Sequence, residues 1–102
     1  MKSCYTLRMP DGHSIAILDL SKVRGRVYEI NRINVPERHR GRRYGAALLR
    51  EVCTEADRCG VLLRLVAMAS GGMSAAELEA WYTRHGFVQR SNGYSYREPL
   101  GA

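Results

Sequence analysis

The chain has few of the residues that mark several familiar kinds of small protein. Cysteine occurs three times in 102 residues, at Cys4, Cys53 and Cys59, an odd number with no C-x-x-C pair. That spacing excludes a zinc ribbon and a dithiol redox motif, and free thiols in a reducing compartment are expected. Proline also occurs only three times, and no repeat, low-complexity segment or linker interrupts the chain. Acidic residues are in deficit. Ten Asp and Glu face sixteen Lys and Arg, which leaves a formal charge of +6 at pH 7. The surplus suits an anionic partner without choosing among nucleic acid, a phosphorylated cofactor and an acidic substrate. The longest apolar run, Val61 to Ala69, is broken by Arg64 and is far short of the roughly 20 residues of a membrane span. The opening residues, MKSCYTLRMPDGHS, lack the apolar core of an export signal. A cytoplasmic location away from membranes is therefore expected. His13, His39 and His85 have no partners at metal-ligand spacing, so no metal site is expected and structural or surface roles are assigned to them.

What remains is enough for one modest core. With 45% apolar residues, residues 1–102 read as a single folded domain. Tyr5 to Leu20 predicts two strands around a Pro10-Asp11-Gly12 turn. Lys22 to Arg26 reads as a loop, and Val27 to Val35 as a strand that Pro36 closes. From Tyr44 the period changes. Leu48, Leu49, Val52, Cys53 and Ala56 fall on one face of a helix, and Gly60 follows where a left-handed C-cap suits glycine. Val61 to Ala69 then reads as a buried central strand, completing a βαβ unit. Ser74 and Glu77 have the spacing of a capping box, opening a helix through Leu78, Trp81 and Tyr82 that stops near Gly86. Phe87 to Glu98 predicts a closing hairpin with Asn92-Gly93 in its turn. The order describes an α/β (α+β) domain: a mixed, mostly antiparallel sheet with two flanking helices.

The stretch RHRGRRYGAALL, Arg38 to Leu49, follows a strand and opens a helix. The first N–H groups of that helix have no intrahelical acceptors, and the positive end of the macrodipole lies behind them. Gly41 and Gly45 permit a left-handed backbone and close approach of a ligand. Arg40, Arg42 and Arg43 add charge-assisted donors. Together these hold a phosphate or pyrophosphate. The spacing is neither a Walker loop nor a dinucleotide G-x-G-x-x-G, and a solvated basic turn explains the same residues.

Arg40-Gly41-Arg42-Arg43-Tyr44-Gly45 followed by AALL resembles the acyl-CoA motif Q/R-x-x-G-x-G/A of the GNAT superfamily of N-acetyltransferases. WYTRHGF, Trp81 to Phe87, is similar to the xYxxxGF that ends the family's next helix. The resemblance covers about residues 27 to 98. It implies a GNAT-like domain using acetyl-CoA (coenzyme A) and an amine acceptor. Ile33 and Val35 would lie along the pantetheine arm; Arg40, Gly41, Arg42, Arg43, Tyr44, Gly45 and Ala46 would hold the pyrophosphate. Ser70 and Ser74 would touch the arm. Tyr82 matches the tyrosine that protonates the departing sulfur, and Glu29, on the strand, occupies the place of a base in some protein-acetylating members. Asn31 with a water is the alternative to it. Two departures stand out. Arg43 replaces the first motif glycine, and a short turn replaces the two helices usual between the first two strands. The second departure implies an open acceptor side, or one completed by a second subunit in a homodimer.

Two other readings stay open. One is a basic nucleic-acid module built on Arg38 to Arg43, with Tyr94 and Tyr96 stacking on bases. No reader motif accompanies it, so nucleic acid is not the expected partner. The other is a catalytically silent protein that binds coenzyme A.

Overall fold

The computed structural model describes residues 1–69 and 72–101. β1 (Cys4–Arg8) and β2 (Ile15–Arg24) pair antiparallel, with Tyr5 opposite Leu18 and Arg8 opposite Ile15. Their connection is the expected Pro-Asp-Gly turn. The Asp11 carboxylate accepts from the N–H groups of His13 and Ser14, and Gly12 takes a positive φ of 75°.

β3 (Val27–Asn34) returns antiparallel along β2, with one register shift near Asp19 and another near Lys22. Lys22 to Arg26 is therefore not a loop. β2 continues through Arg24, and only Gly25 and Arg26 turn the chain. The exposed residues Ser21 to Arg24 carry no alternation to read; ladder hydrogen bonds, not burial, hold that end.

A single 3₁₀ turn, Glu37–His39, leads to α1 (Tyr44–Cys59), which buries Leu48, Leu49, Val52, Cys53 and Ala56. Gly60 ends it at φ 66°. Val61 N–H donates to the Ala56 carbonyl and Gly60 N–H to that of Asp57, the reciprocal pattern of a glycine C-cap. β4 (Leu62–Leu65) then runs parallel to β3, giving the expected β3–α1–β4 unit. α2 (Ala75–Arg84) opens with the expected capping box: Glu77 N–H donates to Ser74 Oγ at 3.1 Å and Ser74 N–H to Glu77 Oε1 at 3.0 Å. β5 (Val88–Gln89) and β6 (Ser95–Arg97) close the sheet in the order β1-β2-β3-β4-β6-β5.

Alternation puts the buried Tyr5, Leu18, Leu20, Ile30, Leu63 and Leu65 on one face of this sheet. Both helices cover that face. Arg97 ties them together: it is 7% exposed, donates twice to the Asp57 carboxylate of α1 at 2.8 and 3.0 Å, and donates to the His85 carbonyl at the end of α2. The opposite face has no helix among the described residues. Paired polar side chains cover it instead: Arg32 with Asp19, Asn31 with Ser21, and Arg64 with Glu29.

The predicted strand Val61 to Ala69 is shorter than its apolar run. β3 and β4 pair only along Val27–Glu29 and Leu62–Arg64. Past that point β3 stays with β2 while β4 ends at Leu65, leaving Val66 and Met68 about half and nearly three-quarters exposed. The two strands splay apart, and the residues after β4 are apolar because they line the gap.

Candidate active site

The turn between β3 and α1 combines left-handed backbone with an uncapped helix start. Arg40 is extended and its Nε donates to the Val35 carbonyl at 3.0 Å, tying the turn to the end of β3. Gly41 follows at φ 80°, where a Cβ would meet no atom within 4 Å; glycine is needed there for the backbone conformation, not for space. Arg43 precedes α1 at φ 66° and is the only non-glycine residue with positive φ among the described residues. An L-residue in that region costs roughly 1–2 kcal/mol, which gives the physical reason a glycine is usual at this motif position. No side chain caps α1 and its first turn holds no acidic residue. The helix start thus presents its free N–H groups and dipole uncompensated.

This helix start opens onto a cleft of about 710 Å³ between the splayed strands. Ile33, Val35, Arg40, Gly41, Arg43, Tyr44, Gly45, Ala46 and Tyr82 line it. The free edge of β3 from Ile30 to Asn34 forms one wall, and Val66 to Met68 form the other. At Gly45 a Cβ would stand 3.6 Å from Val35 Cγ2 and 3.9 Å from both Ile33 and Trp81. α1 therefore packs close to β3 and α2 here, at a position where one methyl group still fits.

Tyr82 stands where α2 meets the cleft. Its ring lies edge-on between Trp81, 5.0 Å away, and Phe87, at 5.5 Å. Burial pushes its phenol up to about 12, so it holds its proton throughout the neutral range.

Three residues expected at the site are not in the cleft lining. Arg42 is an exposed residue of the turn, and Ser74 spends its hydroxyl as the acceptor that caps α2. Glu29 alternates onto the open face, where Arg64 Nε donates to its Oε1 at 2.8 Å. Asn31, two residues on, does line the cleft. Ser70 lies outside the described residues. Other contributors were not singled out from sequence: Met73, Leu78, Trp81, the Leu65–Met68 segment and His39. The apolar ones read as core, and only the splay reveals them as walls. His39 is 8% exposed rather than on the surface. Its Nε2 stands 3.0 Å from the Asp11 carboxylate.

Some features bear on other chemistries. Among the described residues, no three His, Cys, Asp or Glu side chains converge on a metal-sized site, and no helix is long and apolar enough to cross a membrane. Cys53 is a buried core thiol, pushed up to about 11 by burial. Arg64 sits 4.5 Å above the Tyr94 ring and Arg90 5.1 Å above that of Tyr96, so both tyrosines offer one occupied face to any base.

The chain thus carries a βαβ unit whose strands splay at an uncapped, glycine-flanked helix start, with a cleft between them. The model of the acetyltransferase (GNAT) domain matches residues 4–89, and the chain belongs to that family. Solved structures agree in fold. An acetyltransferase of the GNAT family from Staphylococcus aureus Mu50 superposes with a TM-score of 0.74 at 13% identity, over 93% of this chain and 66% of its own. The ribosomal-protein-S18-alanine N-acetyltransferase from Escherichia coli gives 0.72 at 18% identity, over 100% of this chain and 73% of its own. PaiA N-acetyltransferase from Thermoplasma acidophilum, in complex with coenzyme A, gives 0.70 at 17% identity, over 94% and 61%. The chain thus spans about two thirds of the length of these proteins. A search of curated proteins finds no match.

Proposed function

We propose that the protein is an acetyl-CoA-dependent N-acetyltransferase that passes an acetyl group directly to a primary amine, of a peptide, protein or small molecule. The observation that carries this reading is the continuity of one cleft. It runs from the uncapped start of α1, past the free edge of β3, to the buried hydroxyl-bearing ring of Tyr82. Coenzyme A fits those residues: the N–H groups after Arg43 and the guanidinium of Arg43 suit its phosphates. The unpaired edge of β3 near Ile33 and Val35 suits the amides of its arm, added as a further strand would be. When bound, acetyl-CoA supplies an activated thioester.

The remaining work falls to the chain. Free backbone N–H groups at the splayed edge of β3 stabilise negative charge developing on the thioester oxygen. Tyr82 keeps its phenolic proton at neutral pH and gives it to the leaving sulfur. The amine must lose a proton. Glu29 is a base only when Arg64 releases it, whereas Asn31, whose Nδ2 donates to Ser21, lines the cleft and can orient a water through its remaining amide oxygen. We therefore assign the proton to water at Asn31, two residues along β3 from Glu29.

The test is transfer to an amine with Tyr82→Phe beside the wild type. A loss on the order of 100-fold in turnover, with little change in acetyl-CoA affinity, is expected of a general acid. An undiminished rate removes Tyr82 from that role.

A further inference from the structure

A second hollow, of about 380 Å³, lies between the later turns of α1 and the end of α2, and shares no lining residue with the cleft. Arg50 and Thr54, one turn apart on α1, line it from one helix. Arg84 and His85, which end α2, line it from the other. The Arg97–Asp57 pair is also part of the lining, but its charges answer each other. The carboxylate accepts from both terminal nitrogens of Arg97 and from Leu100 N–H, and the guanidinium also donates to the His85 carbonyl.

Arg50 and Arg84 differ from that pair. Both are exposed, and neither is ion-paired among the described residues. The helix offers Arg50 no partner: the positions three and four residues away are Ala46, Ala47, Cys53 and Thr54. Arg58 of the same helix, by contrast, is answered by Glu55. Arg84 suits the negative end of the α2 dipole, which accounts for one cation here and not for two. The charges converge on a single ring. His85 stands edge-on to Trp81 at 5.0 Å, and burial, then Arg50, Arg84 and Arg97, hold its imidazole below its ordinary range. Glu98 is the remaining carboxylate of the lining; its side chain is 71% exposed and faces Arg90 at 3.8 Å. Like charges gathered from two helices repel one another, and an anion seated among them relieves the repulsion.

We infer that this hollow binds a phosphate group, free or carried by a small ester, through Arg50 and Arg84, with the Thr54 hydroxyl as a further donor. Two guanidinium groups on separate helices match a tetrahedral dianion, which offers oxygens in several directions and a charge equal to theirs. A carboxylate has one charge and two coplanar oxygens, which suit a single guanidinium fork better. The site is independent of what the cleft holds.

Amide spectra of the nitrogen-15-labelled whole chain, titrated with inorganic phosphate at about pH 7.5 and constant ionic strength, test this directly. The amides of Thr54, His85 and Gly86 should move saturably. Phosphate is expected at the start of α1 as well, and the amides from Gly41 to Gly45 report that event separately. Acetate at the same ionic strength should act on the Thr54, His85 and Gly86 amides about tenfold more weakly or less. Arg50→Gln and Arg84→Gln should each weaken phosphate binding in the hollow by about tenfold and leave the response at the start of α1 unchanged. Glycerol 3-phosphate separates the two sources: tighter binding than inorganic phosphate assigns the hollow to an ester, and equal or weaker binding assigns it to the free ion. Shifts that never saturate, an equal response to acetate, or wild-type affinity in both variants overturns the inference and leaves the acetyl-CoA reading untouched.

Discussion

The two faces of the sheet solve the same problem in opposite ways. The covered face is apolar, closed by two helices, and the buried Arg97 is answered there by a carboxylate. Arg97 and Asp57 meet in two hydrogen bonds, with a third to the His85 carbonyl and a fourth from Leu100 N–H. The open face carries charge pairs of similar chemistry that water still reaches. Arg64 and Glu29 are each about a quarter exposed and share one hydrogen bond. The difference shows where the domain is rigid by construction and where it is free to receive something. In the proposed reading the coenzyme half of the site hangs on the covered face, through α1, α2 and Tyr82. The open face keeps Glu29, Asn31 and Arg64 polar and paired.

The sharpest way to break this contrast is to remove one partner from each pair. Asp57→Ala leaves a buried guanidinium without its counter-charge and should cost about 3 kcal/mol or more in urea unfolding. The same pair sets an acid limit. The Arg97 guanidinium holds Asp57 below its ordinary range, so its contribution is present above about pH 4 and is lost as pH falls through the folded value. Wild-type melting should therefore decline below that pH, and Asp57→Ala should flatten part of the decline. Gly41→Ala comes next. Its φ of 80° makes any side chain strained, at about 1–2 kcal/mol, although no atom stands in the way. Arg43→Gly should do the reverse in the free protein, stabilising it by about 1 kcal/mol by relieving the left-handed strain. The same change should weaken acetyl-CoA binding, since it deletes a cation from the cleft. If affinity rises instead, the arginine crowds the phosphates. On the open face, Glu29→Gln should cost less than about 1 kcal/mol. A loss there as large as that at Asp57 would erase the distinction between the faces.

Local features of the chain were legible before any fold was drawn. The capping box at Ser74, the glycine stop at Gly60 and the strand–turn–helix around Gly41 each rest on neighbours within a few residues. Tyr82 was chosen in the same local way, as the second residue of WYTRHGF, and its ring lies in the cleft lining. Long-range geometry was not legible. Whether Glu29 faces the cleft depends on the register between β3 and β4, and that register pairs it with Arg64, 35 positions away. The splay itself is invisible in Val61 to Ala69, because residues lining a cleft are as apolar as residues inside a sheet. His39 and Asp11 are 28 positions apart, and neither has a signal in its own neighbourhood. The assignment of Lys22 to Arg26 to a loop failed for a related reason: a solvent-exposed ribbon shows no apolar period.

The central claim is that the cleft at the start of α1 holds acetyl-CoA. Thermal melting of the chain with and without acetyl-CoA reads it most directly, because a ligand that binds only the folded state stabilises it by about 2.7 kcal/mol at a hundred times its dissociation constant. For a domain of this size that is a rise on the order of 10 °C, and the account predicts it. An unchanged midpoint at millimolar acetyl-CoA would contradict the account, and the cleft between β3 and β4 would then need another occupant.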